Sequence, residues 1–401
     1  MDKRESSRII VTLGVLIAIG PFSVDAYLPG FPAIAEDLMT DIEHVALSLT
    51  SYFIGISIGQ LFYGPILDRY GRKKPLLIGL AIYVLACAGC VFAPSVQSLI
   101  LLRFLSAIGA CAGIVASRAV VRDLFSSNEM AKVFSLMLLV MGLAPMIAPV
   151  LGGIIVSTVG WRGIFVMLVI IGSIISLIVI KFLPETKKAD HTVSFHPLKI
   201  TAGYFSLFRN KTFLIFAIAS GTASAALFAY VSASPFVFIK LFGITESQFG
   251  WIYGFNALVL ISASQFNRMW LEKKTSRQIT FITVSLQFLV SLLLILSLAL
   301  DMYFIVSMAF ICIYLFWLGY LNPNTNALAM EPFLKNAGVA SAMLGSVQMI
   351  FGAAASAMVS FFHNGTAFPM AFLLMAFSLV GLAALTSDRM QTKAQDQARP
   401  I

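Results

Sequence analysis

Charged residues are scarce in this chain: Asp, Glu, Lys and Arg together fill 11% of its 401 positions, against about 25% in an ordinary soluble domain. With 59% of positions hydrophobic, a water-soluble enzyme or binding domain is excluded as the body of the protein. Histidine is scarce too. The four, His44, His191, His196 and His363, fall in loop stretches, and no HExxH occurs, so neither a metal site nor a zinc hydrolase is expected. The dipeptide Gly-Lys is absent, which removes the GxxxxGK[ST] phosphate loop and any fused ATPase. The four cysteines, Cys87, Cys90, Cys111 and Cys312, all lie inside apolar runs, where small buried thiols are expected and a disulfide framework is not.

What fills the chain is a series of apolar windows of about 20 residues, each long enough to cross a ~30 Å hydrocarbon core as a helix. Twelve are expected, near residues 9–29, 45–67, 75–93, 98–121, 132–157, 162–183, 212–239, 248–270, 277–299, 303–329, 338–361 and 367–386. Runs such as IIGSIISLIVI show none of the two-residue alternation of a membrane β-barrel. The fold class is all-α. The first run leads into Pro29 and an acidic loop without a small-residue cleavage site, so it is expected to be a retained helix and not a signal peptide. The longest polar stretch, PETKKADHTVSFHPLKITAGYFSLFRNK at residues 184–211, divides the spans evenly. The division is an N-terminal six-helix bundle (1–183), a cytoplasmic linker (184–211) and a C-terminal six-helix bundle with a short tail (212–401), an arrangement in keeping with a duplicated half.

The net charge of +9 calls for no nucleic-acid partner once its placement is followed. Counted loop by loop, 23 of the 27 Lys and Arg fall on one side of the membrane, two (Arg162 and Lys240) on the other, and Arg103 and Arg118 inside the fourth span. By the positive-inside rule both termini of this multi-pass chain are expected in the cytoplasm.

Four stretches carry chemistry. In GPILDRYGRKKPLL, residues 64–77, Gly64 suits close helix approach, Gly71 suits a positive φ, and Asp68 can cap the next turn or pair with a base. Arg69, Arg72, Lys73 and Lys74 also set topology. In MGLAPMIAPVLGG, residues 141–153, Ala144, Ala148 and Gly152 form a small-residue seam, while Pro145 and Pro149 remove helix hydrogen bonds and favour bending, with Gly153 beside them. Gly55 and Gly59 form a similar seam suited to packing. LLRFLSAIGACAG, residues 101–113, places Arg103 inside the membrane, where a bare charge costs roughly 2.5–3.5 kcal/mol on insertion scales. The fourth stretch, GPFSVDAYLPGFPAIAEDL at residues 20–38, places Asp25 at the far end of an apolar run, about 25 Å from its start at ~1.5 Å per residue. Matching depth allows a direct or water-bridged contact between Asp25 and Arg103. The plainer alternatives are a helix-end cap for Asp25 and a structural ion pair or snorkelling side chain for Arg103.

The loop signature resembles that of the major facilitator superfamily, and the likeness extends over the full chain. MGLAPMIAPVLGG resembles the fifth-helix motif of its antiporters. DAYLPGFPAIA together with SRAVVRDLF (117–125) resembles the Bcr/CflA branch of drug:proton antiporters. The resemblance implies two six-helix bundles, no enzyme activity, no cofactor beyond a proton as coupling ion, and a small-molecule substrate moved across the bilayer by a monomer. It implies proton coupling through Asp25 and Arg103, and export of amphipathic drugs. Some relatives carry a second acid earlier in the first helix; here that region has Thr12, Gly14 and Ile17, which implies one proton per substrate and poor handling of dications. Residues expected to line the substrate cavity are Tyr27, Tyr52, Met141, Phe228, Tyr230, Tyr253 and Asn256. Arg118, Arg122 and Asp123 are expected either to join Asp68 or Glu129 in a cytoplasmic gate or to act as interfacial anchors. The alternatives on the same scaffold are export of one metabolite or siderophore, and proton-driven uptake; a channel lacks its continuous polar stripe.

Overall fold

The computed structural model describes residues 3–190, 207–300, 302, 304–333 and 337–397, and among these it is helical throughout, with no strand. Helix α1 (Lys3–Asp25) ends in a 3-10 turn (Leu28–Gly30) and a short helix α2 (Phe31–Asp37). Then come α3 (Ile42–Tyr70), α4 (Lys73–Val91), α5 (Val96–Leu124), α6 (Ser127–Val159) and α7 (Arg162–Phe182). After a break, α8 (Lys211–Pro235) runs into a π-helical stretch (Phe236–Leu241) and is followed by α9 (Glu246–Leu271), α10 (Ser276–Ala299), α11 (Phe304–Met330), α12 (Ala337–Phe361) and α13 (Phe368–Gln397). Of the expected linker, residues 191–206 lie outside the described residues.

Eleven of the described helices are long and apolar enough to cross a membrane. The twelfth expected span, near 248–270, is one unbroken helix, α9, but is not among the eleven. Gln248, Asn256, Gln265, Asn267 and Arg268 along it lower its hydropathy. Elsewhere Val11, Leu85, Leu177 and Ile305 stand exposed, the surface a helix presents to hydrocarbon rather than to water.

Helix ends are written locally. Ser95 and Ser98 form a capping box at the start of α5, Ser126 and Glu129 at the start of α6, and Thr275 and Gln278 at the start of α10. The Asn210 side chain accepts from the Phe213 amide to start α8. Gly71 and Gly160 end α3 and α6 with φ of 85° and 82°, a region that L side chains rarely enter. The expected seam at Gly55 is present: a methyl there would sit 2.7 Å from the Phe104 carbonyl of α5, so glycine lets α3 and α5 lie backbone to backbone.

The chain divides into two compact units, Met1–Lys199 with Phe238–Ala257, and Ile200–Val237 with Leu258–Ile401. The first half of α9, which the sequence division assigns to the C-terminal bundle, thus clusters with the first unit. Within the first unit α1 packs on α5, α6 and α7, and α4 packs on α5 and α7. Within the second, α8 packs on α11, α12 and α13, and α10 packs on α11 and α13. The two sets are one pattern: α1, α4, α5, α6 and α7 correspond to α8, α10, α11, α12 and α13. The duplication that the sequence shows only faintly is plain in the packing.

Candidate functional site

Asp25 is the last residue of α1, where Pro29 and Pro32 downstream divert the chain into the 3-10 turn. The residue is 6% exposed, and among the described residues its carboxylate accepts one hydrogen bond, from the Tyr253 phenol of α9, at 2.9 Å. Both residues belong to the first unit. Arg103 is fully buried, and it does not pair with Asp25: among the described residues no ion pair joins the two. Instead its Nη2 donates to the Ser23 carbonyl at 3.1 Å, and the guanidinium lies between the rings of Tyr52 and Tyr27, 4.3 and 4.7 Å from their centroids. Of the direct or water-bridged contact that matching depth allows, the direct form is not present among the described residues. The end of α1 hands a backbone carbonyl to the arginine and turns its carboxylate to a tyrosine 228 positions along the chain. Each cation–π contact of a desolvated cation is worth about 2 kcal/mol, but Arg103 Nε and Nη1 have no hydrogen-bond partner among the described residues, so the box only partly offsets the loss of water.

The box itself is braced. Ser23 Oγ and the Tyr83 phenol share a hydrogen bond at 2.7 Å, and Tyr27 Oη and Ser48 Oγ share one at 2.9 Å. Tyr27 and Tyr52, expected at the cavity wall, are buried against the arginine.

The proline- and glycine-rich segment explains how Asp25 and Tyr253 meet. Helix α6 is continuous through Pro145 and Pro149. A side chain at Gly152 would collide with the Ala26 carbonyl, the residue next to Asp25, and one at Gly153 would lie 2.5 Å from the Glu246 carbonyl at the start of α9. From the other direction Gly250 lies against the Pro149 carbonyl and Gly254 against that of Met146. One small-residue face of α6 thus receives the end of α1 and the start of α9. That face is what sets the carboxylate within reach of the phenol.

At the junction of α3 and α4 a second polar cluster forms. Arg72 donates to Asp123 at 2.7 Å and to Asp68 at 2.9 Å, and Lys187 Nζ also reaches Asp68, at 2.8 Å. Burial alone lowers the Arg72 pKa; the bonds to Asp123 and Asp68 outweigh it and raise it. Glu185 accepts the backbone N–H groups of Arg72 and Lys73, at 2.6 and 3.1 Å, so a carboxylate caps the start of α4 where the helix dipole favours it. Gly71 leaves room: a Cβ there would be 2.9 Å from the Glu185 carboxylate. Gly64, by contrast, has no neighbour within 4 Å of its Cβ position, so it is not the close-approach point expected. Among the described residues Arg118 and Arg122 make no ion pair with Asp68, Asp123 or Glu129. Glu129 belongs instead to its own cap, its pKa lowered by the Ser126 side chain and then the Ser126 amide. Arg69 stacks on Tyr70. Thr186 Oγ1 donates to Asp123 at 3.0 Å; Glu185, Thr186 and Lys187 carry no signal in the sequence beyond their place directly after Pro184.

Of the remaining candidates, Tyr230 and Asn256 are buried and Met141 and Phe228 half-buried. The Phe228 ring packs over Gly352 within the second unit. The described cysteines are all free thiols.

Eleven membrane-length helices, one packing pattern used twice, and a buried carboxylate and arginine inside the first bundle define a polytopic membrane transporter rather than an enzyme. The chain belongs to the Major Facilitator Superfamily, whose family model matches residues 13–357. It is 34% identical over 395 residues to an uncharacterised MFS-type transporter, YdgK, of Bacillus subtilis, covering 96% of this chain and 97% of that one. It is 33% identical over 397 residues to a bicyclomycin resistance protein homolog of Haemophilus influenzae, covering 98% and 100%. Among solved structures it resembles a D-xylose-proton symporter, with a TM-score of 0.75, 14% identity and coverage of 96% and 97%, a likeness of fold alone.

Proposed function

We propose that this transporter is a proton-coupled antiporter that exports amphipathic small molecules, drugs among them, from the cytoplasm by alternating access. The observation that carries the reading is Asp25, a buried carboxylate whose side-chain partner among the described residues is a phenol and not a cation. Such a group exchanges a proton without breaking a salt bridge, and an intramembrane acid of this kind marks a proton path. Tyr253 stands on α9, a helix that begins in the first unit and ends in the second, so a change of charge at Asp25 acts on a helix common to both. Proton and substrate are then negatively linked: protonation releases substrate, and substrate displaces the proton. The charge distribution supports placing both termini, the Asp68–Arg72–Asp123 cluster and the 184–211 linker in the cytoplasm of the inner membrane. The name of the Haemophilus influenzae relative supports a drug as substrate.

Proteoliposomes test the reading. An imposed pH gradient drives accumulation of a labelled lipophilic drug by the native protein, and Asp25→Asn abolishes that accumulation while keeping counterflow. Gradient-driven accumulation by Asp25→Asn sinks the assignment.

A further inference from the structure

Where α1 begins, α4 begins and α7 stops, three cations of the first unit gather. Lys73, in the first turn of α4, donates through Nζ to the Ile180 carbonyl in the last turn of α7, at 2.8 Å. The Phe182 ring of α7 is shared by the other two: the Arg8 guanidinium of α1 lies 5.6 Å from its centroid and Lys181 Nζ lies 5.4 Å from it. Arg8 and Lys181 are exposed. Among the described residues none of the three forms an ion pair, and most of their N–H donors are open. The carboxylates at the junction of α3 and α4 are already engaged, Asp68 and Asp123 by Arg72 and Lys187, and Glu185 by the α4 amides. Beside the cations α7 presents an apolar face. Ile170, Ile174 and Leu177 are exposed and stand in line with Lys181 at helical spacing, and on α1 Val11 is exposed one turn past Arg8. From Ile170 to Lys181 that face is about 16 Å long at ~1.5 Å per residue, the depth of one leaflet of a ~30 Å hydrocarbon core.

We infer that Arg8, Lys73 and Lys181 hold the phosphodiester of an anionic phospholipid whose acyl chains lie along Ile170, Ile174 and Leu177. The site goes beyond the export reading and does not depend on it. Arginine supplies a planar fork that matches two phosphate oxygens, and the lysines supply point charges on either side. The carbonyl end of a helix ordinarily repels an anion; here Lys73 covers that end of α7, so a phosphate can approach it. A zwitterionic lipid brings an ammonium group that finds like charge and no carboxylate to pair with. A soluble phosphate ester leaves the apolar face uncovered, so the favourable burial of hydrocarbon selects a lipid. One headgroup thereby joins the ends of α1, α4 and α7.

The experiment titrates the full chain in detergent with phosphatidylglycerol and phosphatidylcholine of identical acyl chains, each with a fluorophore at the end of one chain. The native protein is expected to bind phosphatidylglycerol about tenfold more tightly. Arg8→Gln with Lys181→Gln is expected to weaken phosphatidylglycerol about tenfold, to the level of phosphatidylcholine, and to leave phosphatidylcholine binding unchanged, which also reports an intact fold. Lys273→Gln with Lys274→Gln, which removes two exposed cations from the second unit, is expected to keep the preference. Water-soluble glycerophosphoglycerol, the headgroup alone, is expected not to displace the labelled lipid. Should the Arg8 and Lys181 variant not fold, the preference of the native protein and the headgroup competition decide. Equal binding of the two lipids by the native protein, equal weakening of phosphatidylglycerol by both double variants, or displacement by the headgroup at the concentration of the lipid itself overturns the inference.

Discussion

Tyr253→Phe removes a single hydroxyl, yet among the described residues that hydroxyl gives Asp25 its one hydrogen bond. A buried acceptor left unpaired costs about 1–3 kcal/mol. Gradient-driven transport is expected to fall about tenfold or more while counterflow persists. In an Asp25→Asn background the same change adds nothing further to the defect, since the two residues act as one unit; additive losses in the four-variant cycle would refute the coupling. Arg103 presents the opposite case. Its guanidinium is fully buried with two nitrogens unpaired, and an apolar replacement of similar volume at a buried charge is often neutral or stabilising. Arg103→Met is therefore expected to keep the thermal midpoint in detergent at or above that of the native protein, and to lose transport. A large drop in the midpoint would show the aromatic box to be a structural ion site. At this scale the sequence made Asp25 and Arg103 conspicuous because charge is rare in apolar runs. It did not reveal their partners: Tyr253 lies 228 positions away from Asp25, and a tyrosine in a membrane helix carries no mark of what it touches.

At the scale of elements, the segment after α7 folds back on the start of α4 through the Glu185 carboxylate. Glu185→Gln leaves one oxygen where two served the Arg72 and Lys73 amides and removes the charge that the helix start favours. The loss is expected to be about 1–2 kcal/mol of local stability. It is measured as faster amide hydrogen exchange in the first turn of α4, with the core of α5 unchanged as internal control. Exchange identical to the native protein would show that the strap does not hold this joint. Helix existence and the approximate bounds of the spans were legible beforehand, because apolar length is a local signal. The polar contacts that cross between elements were less so. Arg118 and Arg122 read either as gate residues or as interfacial anchors, while Lys187 and Glu185, in a stretch that reads as linker, make the contacts with Asp68 and with α4. Proximity in the fold, absent from the chain order, decides between them.

At the scale of the whole molecule, a coupling scheme built on one membrane carboxylate predicts one proton exchanged per substrate. Monovalent lipophilic cations and neutral drugs are expected to be exported, and divalent cations of similar size to be transported at least about tenfold more slowly, since each further positive charge needs its own compensation in a low-dielectric site. Side-by-side transport of a mono- and a dicationic analogue checks this, and equal rates would require a second titrating group.

The sequence by itself determined that the chain crosses the membrane many times as helices, which family it resembles, and which ionisable residues stand inside its apolar runs. These follow from composition and local order, and hydrocarbon admits few alternatives for a backbone whose hydrogen bonds must close within each segment. Only the tertiary structure decided that Arg103 lies between Tyr27 and Tyr52, that Asp25 faces Tyr253 across the small-residue face of α6, and that Arg8, Lys73 and Lys181 gather at the end of α7. Those contacts depend on which helices pack together and in what register. Such packing is set by glycines and prolines whose effect is felt only when another backbone arrives against them.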